Sequence, residues 1–305
     1  MSIVSPLDAA SSTHADRRDR YVVIGNPIAH SKSPLIHARF AEQTGESVAY
    51  DRLLAPVDAF ASTVRAFIAD GGRGLNVTVP FKLEAHAFAD RLSARAAAAG
   101  AVNTLKIEAD GTVSGDNTDG IGLVRDIEHN VGVGLAAKRV LLLGAGGAAR
   151  GVVLPLADAG AREIVIVNRT ASKATELAAS FDVSSSSSPS SPTAPARVRG
   201  GGIELAQGVF DVIINATAGS LGGEVPAYGN ASVGPATLAY DMMYGAQPTV
   251  FMQDAQARGA HVADGLGMLV EQAAESFAIW RGVRPDSAPV LAYLRSLLAA
   301  PNPSA

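Results

Sequence analysis

Four consecutive apolar residues, Val140, Leu141, Leu142 and Leu143, run directly into Gly144-Ala145-Gly146-Gly147-Ala148-Ala149. The apolar run predicts a buried strand, and the stretch 149–159, with Val152, Val153 and Leu156 along one face, predicts a helix behind it. Gly144, Gly146 and Ala149 then fall on the G-x-G-x-x-G/A spacing in a strand–turn–helix setting. The first glycine permits the tight turn, the second lets a pyrophosphate approach the backbone, and the small third residue lets helix and strand pack closely. The helix N-terminus presents free N–H groups to the phosphates. A second apolar run at 161–167 completes a βαβ unit, and Asn168-Arg169-Thr170 follows it. An acidic residue there would bond a ribose 2′-hydroxyl, whereas Arg169 can pair with a 2′-phosphate, so the pattern reads as a dinucleotide site preferring NADP.

Composition limits the rest. The 305 residues are 48% hydrophobic and 18% charged with net charge −4, which predicts a soluble globular chain of two domains with ample material for cores. The acidic balance and the lack of Lys/Arg runs argue against a nucleic-acid partner. No apolar stretch approaches the ~20 residues of a membrane span, and residues 1–20 lack the apolar core of a secretory signal, so a cytoplasmic location is expected. Cysteine is absent, excluding disulfides and thiol catalysis. His30, His37, His86, His129 and His261 show no metal-ligand spacing, and no metal is expected. The Asn-x-Ser/Thr matches at Asn76, Asn168, Asn215 and Asn230 are read as chance, because glycosylation needs a secreted chain.

Along the chain, residues 1–19 read as a disordered tail and the Ser/Pro-rich segment 184–195 as a surface loop. Strands are predicted at 21–24, 48–54 and 75–79, and helices from Ser33-Pro34 to Gly45, over 57–69 and over 81–98. A hairpin follows at 102–107 and 112–114, then a helix near 121–129. Further strands are expected at 210–214 and 238–242, and helices at 249–258, 266–280 and 287–299. The fold class is α/β. An N-terminal α/β domain (20–118 and 265–305) would bind substrate, a Rossmann domain (119–264) would bind the nucleotide, and the C-terminal helices would return to the first domain.

Three stretches carry more polar residues than their local structure needs: Ser31-Lys32-Ser33, Asn76 to Lys82, and Asn103-Thr104 with Asn117-Thr118-Asp119. The first two fall beyond strand carboxyl ends, where open α/β sheets bind ligands. Together they could cradle a small polyhydroxylated acid. Plainer roles compete: Ser33 suits an N-cap, Asp119 could cap the helix from Gly120, Lys82 could be a solvated helix charge, and Asn103 could merely support the hairpin.

Taken together, these stretches resemble the shikimate dehydrogenase family. Residues 25–34 (GNPIAHSKSP) are similar to its opening signature and 76–82 (NVTVPFK) to its lysine motif. GAVNT at 100–104, GDNTDG at 115–120, the glycine turn, NRT at 168–170, INAT at 214–217, YDMMY at 240–244 and DGLGMLV at 264–270 follow in order. The resemblance implies NADPH-dependent reduction of 3-dehydroshikimate to shikimate, on the route through chorismate to aromatic amino acids, by a monomer or homodimer. It implies that Lys82 and Asp119 form the catalytic pair and that Ser31 and Ser33 hold the substrate carboxylate. Thr78, Asn103, Asp119, Tyr244 and Gln272 would contact the ring or its hydroxyls. The cofactor would meet Gly144, Ala145, Gly146, Gly147, Ala148, Asn168, Arg169, Thr170 and Lys173, with Met242 and Gly265 near the nicotinamide. A lysine beside an aspartate suits the chemistry, since it can stay protonated, stabilise a developing oxyanion and donate a proton. Ala94 departs from the acidic residue often found there in the family, which touches only a peripheral cofactor contact. The alternatives are a quinate/shikimate relative with relaxed cofactor use and a non-catalytic nucleotide-binding regulator; retention of Lys82 and Asp119 weighs against the latter.

Overall fold

The computed structural model describes residues 18–182, 196–217 and 219–300. The segment 184–195 and the tail up to residue 17 lie outside them, while Asp19 already pairs within the first strand.

The first half is built on one sheet. β1 (Asp19–Gly25), α1 (Ser33–Thr44), β2 (Val48–Leu54), α2 (Phe60–Ala69), β3 (Gly72–Val77), α3 (Lys82–Phe88), β4 (Arg91–Leu92), α4 (Ala94–Ala99), β5 (Thr104–Ile107) and β6 (Val113–Asp116) follow one another. The strands lie in the order β2-β1-β3-β5-β6-β4, with β1 parallel to both neighbours and β5 antiparallel to β3 and β6. Strand alternation sends Val22, Ile24, Leu75 and Val77 to one core with Phe60, Val64 and Phe81, while Tyr21 faces the other side.

Helix α5 (Asp119–Arg125) and a short π-helical turn (Asp126–Asn130) lead into the second half. There β7 (Arg139–Leu143), α6 (Gly147–Asp158), β8 (Glu163–Val167), α7 (Ala171–Asp182), β9 (Arg197–Gly201), β10 (Gln207–Val209), β11 (Val212–Asn215), β12 (Asn230–Ser232), β13 (Leu238–Asp241), α8 (Val250–Ala257) and β14 (His261–Asp264) follow. Six of these strands form a parallel sheet in the order β14-β13-β11-β7-β8-β9, and β10 and β12 pair separately. The chain order reverses between β7 and β11, the place where a doubly wound sheet opens a ligand crevice. Helices α9 (Leu266–Arg281) and α10 (Ala288–Ala299) then return to the first sheet. Val270, Phe277, Trp280, Val290 and Leu294 pack there with Tyr21, Ile36 and Phe40.

Helix α5 sits between the two halves because its glycines allow close approach. A Cβ on Gly120 would lie 2.3 Å from the Gly151 carbonyl oxygen of α6, and one on Gly122 would lie 2.8 Å from the Gln272 backbone nitrogen of α9.

Several expected elements differ. The helix foreseen over 57–69 begins only at Phe60, leaving Val57 63% exposed. The alanine-rich helix foreseen over 81–98 is α3, β4 and α4. Asp90 breaks it by exchanging bonds with Val113: its N–H donates to the Val113 carbonyl at 2.8 Å and its carboxylate accepts from the Val113 N–H at 2.8 Å. Pairing with the hairpin thus outweighs helix propensity. Strand β9 was not foreseen, because Arg197-Val198-Arg199-Gly200-Gly201 carries no apolar pattern. Gly200 is required there, since a Cβ would fall 1.9 Å from the Ala174 carbonyl oxygen of α7.

Candidate active site

The carboxyl ends of β1 and β3 face the end of β13 across a cavity of about 380 Å³. Ser31, Ser33, Thr78, Lys82, Asn103, Asp119, Met242, Tyr244 and Gln272 all line it, residues drawn from six separate stretches of chain. Gly265 stands just behind, capping α9, where a Cβ would meet the Met242 carbonyl oxygen at 2.2 Å.

On its wall Lys82, the first residue of α3, donates from Nζ to Asp119 Oδ2 at 2.6 Å. Asp119 is the first residue of α5, where the helix dipole favours a carboxylate. Its other oxygen accepts from Asn103 Nδ2 at 2.8 Å. The lysine side chain is 31% exposed and the aspartate 15%, so the pair is shielded yet can exchange protons with solvent. Asp119 makes no side-chain capping bond: Thr118 is the N-cap, and the carboxylate turns to Lys82 instead. Ser33 is not the N-cap of α1 either. Lys32 takes that place, and the buried Ser33 hydroxyl accepts from Ser31 Oγ at 3.2 Å beside the cavity.

Behind the pair lies a buried polar cluster. Asn103 Oδ1 accepts from the Thr118 N–H at 2.9 Å and from Thr104 Oγ1 at 2.8 Å. Asn76 Nδ2 donates to Ser276 Oγ at 3.0 Å, and Asn76 Oδ1 accepts from the Tyr50 hydroxyl at 2.7 Å. Asn76 and Lys32, which belong to the polar stretches read as a cradle but have no individual role there, also border the cavity, as does His30. For Asn76 the signal was present, an amide among polar residues at a strand end. Ser276 gave none, because α9 reads as a core helix. Burial, with a smaller contribution from the Asp264 charge, raises the Tyr244 phenol, so it stands in the cavity as a neutral donor.

The second sheet carries the glycine turn, at the end of β7. Gly144 has φ +104°, a left-handed conformation suited to glycine, and its N–H donates to the Val167 carbonyl at 2.8 Å. Gly146 and Gly147 are exposed, with open space where a Cβ would stand. Helix α6 starts at Gly147 with no side-chain cap, which leaves its first N–H groups available to an anion. Ala149 is fully buried where helix and sheet meet. Asn168 Nδ2 donates to the Thr170 carbonyl at 2.9 Å and shapes the turn after β8, leaving Arg169 and Thr170 exposed beside Lys173 of α7. These residues fit a dinucleotide with a 2′-phosphate. No helix among the described residues is long and apolar enough to cross a membrane.

A parallel sheet with this glycine turn, set across a cavity from a Lys–Asp pair, defines a two-lobed, nucleotide-linked dehydrogenase architecture. The shikimate dehydrogenase substrate-binding domain matches residues 23–105, shikimate/quinate 5-dehydrogenase matches 126–194, and the shikimate 5′-dehydrogenase C-terminal domain matches 265–295. The chain is 60% identical over 287 residues to the shikimate dehydrogenase (NADP(+)) of Cupriavidus taiwanensis, covering 92% of this chain and 95% of that protein. It belongs to the shikimate dehydrogenase family. Among solved structures, an Ael1 enzyme from Pseudomonas putida is 45% identical with TM-score 0.80, covering 93% of this chain and 99% of that one. The Thermus thermophilus shikimate 5-dehydrogenase, in complex with NADP(H) and shikimate, is 31% identical with TM-score 0.77, covering 92% and 100%.

Proposed function

We propose that this protein catalyses the reversible, NADPH-dependent reduction of 3-dehydroshikimate to shikimate in the cytoplasm, serving chorismate and aromatic amino acid biosynthesis. The observation that carries this reading is the shielded Lys82–Asp119 pair, joined at 2.6 Å on the wall of the cavity. NADPH, when bound, supplies the hydride. Gly144 to Ala148 would hold its diphosphate, Asn168, Arg169, Thr170 and Lys173 its 2′-phosphate, and Met242 and Gly265 its nicotinamide end.

Ser31 and Ser33 bind the substrate carboxylate, while Thr78, Asn103, Tyr244 and Gln272 hold the ring hydroxyls. Reduction leaves negative charge on the former ketone oxygen. Lys82 Nζ stabilises that charge and donates the proton that completes the hydroxyl. Asp119 holds the ammonium in place, and Asn103 in turn fixes Asp119. Lys82 then regains a proton from solvent through its exposed side. In the reverse direction the same pair accepts the hydroxyl proton.

The test is an initial-rate assay pairing shikimate or quinate with NADP⁺ or NAD⁺. Shikimate with NADP⁺ should give the highest kcat/KM of the four combinations. Absence of turnover with that pair would overturn the reading, and equal turnover of quinate with NAD⁺ would move the chain to the relaxed quinate/shikimate type.

A further inference from the structure

The charges around the cavity do not cancel. Lys82 is bonded to Asp119, so the pair adds no net charge. Lys32 also borders the cavity, and no hydrogen bond or ion pair engages its side chain among the described residues. Lys32 also lines a small crevice with Tyr244, Leu266, Leu294, Leu297 and Leu298. A lysine bordering both spaces can lay its methylene stem along the leucines with its ammonium toward water.

Lys32 lies between the two serines assigned to the carboxylate. Hydroxyls bond a carboxylate, an ester or an amide alike, so Ser31 and Ser33 can select shape but not charge. The guanidinium of Arg52 is already engaged, donating to the Ser31 carbonyl at 2.6 and 3.1 Å and so holding the loop. Helix α1 begins at Ser33 with no acidic residue in its first turn, so its dipole adds the same sign as the ammonium. His30 borders the cavity as well, and both it and Lys32 are exposed.

We infer that Lys32 is the charge selector of this site: its unpaired ammonium makes an anionic ring acid, rather than a neutral polyol of the same shape, the preferred substrate. This rests on the proposed dehydrogenase reading. The structure assigns Lys32 a part in binding and none in proton transfer.

The test compares wild type, Lys32→Met and Lys32→Arg on shikimate and on shikimate methyl ester, with the ester used as a competitive inhibitor if it is not turned over. Lys32→Met should raise KM for shikimate roughly five- to thirty-fold with kcat within about twofold, as expected for loss of one charge-assisted contact. It should leave the ester's KM or Ki unchanged and flatten the salt dependence of kcat/KM for shikimate, because screening acts on the lost charge. Lys32→Arg should restore most of the loss. Equal losses for acid and ester, or an unchanged KM for shikimate in Lys32→Met, would overturn the inference while leaving the dehydrogenase reading intact. Wild type that turns over no shikimate would overturn the reading beneath it.

Discussion

Replacing Asp119 by asparagine keeps the side chain's shape and removes its charge. Asp119 accepts from two donors, Lys82 Nζ at 2.6 Å and Asn103 Nδ2 at 2.8 Å. Asparagine offers one oxygen and one NH₂ group, so one of those donors must face another donor. The ammonium takes the oxygen, because the charge-assisted bond is the stronger. Asn103 cannot rotate to adapt, since its own oxygen is held by the Thr118 N–H at 2.9 Å and by Thr104 Oγ1 at 2.8 Å. The variant therefore weakens the grip on Lys82 and leaves a mismatch in a buried cluster. Each such loss costs about 1–3 kcal/mol. If the loss falls on the transition state, kcat drops roughly 5- to 150-fold. Steady-state NADP⁺ reduction over a range of shikimate concentrations reads this directly, with circular dichroism confirming the fold. A kcat within twofold of wild type would refute the positioning role. A loss confined to KM would show that Asp119 only binds substrate.

Lys82→Ala should lower kcat by about 10²–10⁴-fold with less effect on KM, because proton transfer matters chiefly in the transition state; near-normal turnover in stopped-flow assays would remove lysine from the proton step. Arg169→Ala should raise KM for NADPH about tenfold or more while changing NADH little, and equal losses for both would count against the 2′-phosphate contact. His37 is fully buried, and burial pushes its imidazole from the ordinary 6.5 down to about 3. The unfolded chain therefore binds a proton that the native chain refuses. The stability this provides is present above pH 6.5 and drains away as pH falls toward 3, by about 2 kcal/mol between pH 7 and pH 5. His37→Phe, which keeps a ring against Tyr50, should flatten that acid limb in urea titrations; an undiminished limb would place the sensitivity elsewhere.

The glycine turn was legible because its meaning is local: Val140 to Leu143 must be buried, and Gly144 must turn. The polar residues at strand ends were legible for the same reason, being more numerous than a turn requires. What joins them was not. Asn76 and Ser276 meet at 3.0 Å although 200 positions apart, and helical periodicity on α9 says nothing about which strand it will cover. Gln272 entered only through family resemblance, since its helix reads as core. His37 shows the opposite failure. The sequence shows only that it lacks metal-ligand spacing, yet it is stacked on Tyr50 with ring centroids 4.1 Å apart, and neither ring nitrogen has a hydrogen-bond partner. The break at Asp90 needed the hairpin to be in place before local propensity could be overruled.

Helix α5 works as a spacer of fixed thickness. It touches α6 on one side and α9 on the other at distances only glycine allows, so a side chain at Gly120 or Gly122 would force its neighbours away. Asp119 is its first residue, and the Lys82–Asp119 bond spans the same junction. The 2.6 Å reach of that bond therefore depends on two side chains that are not there.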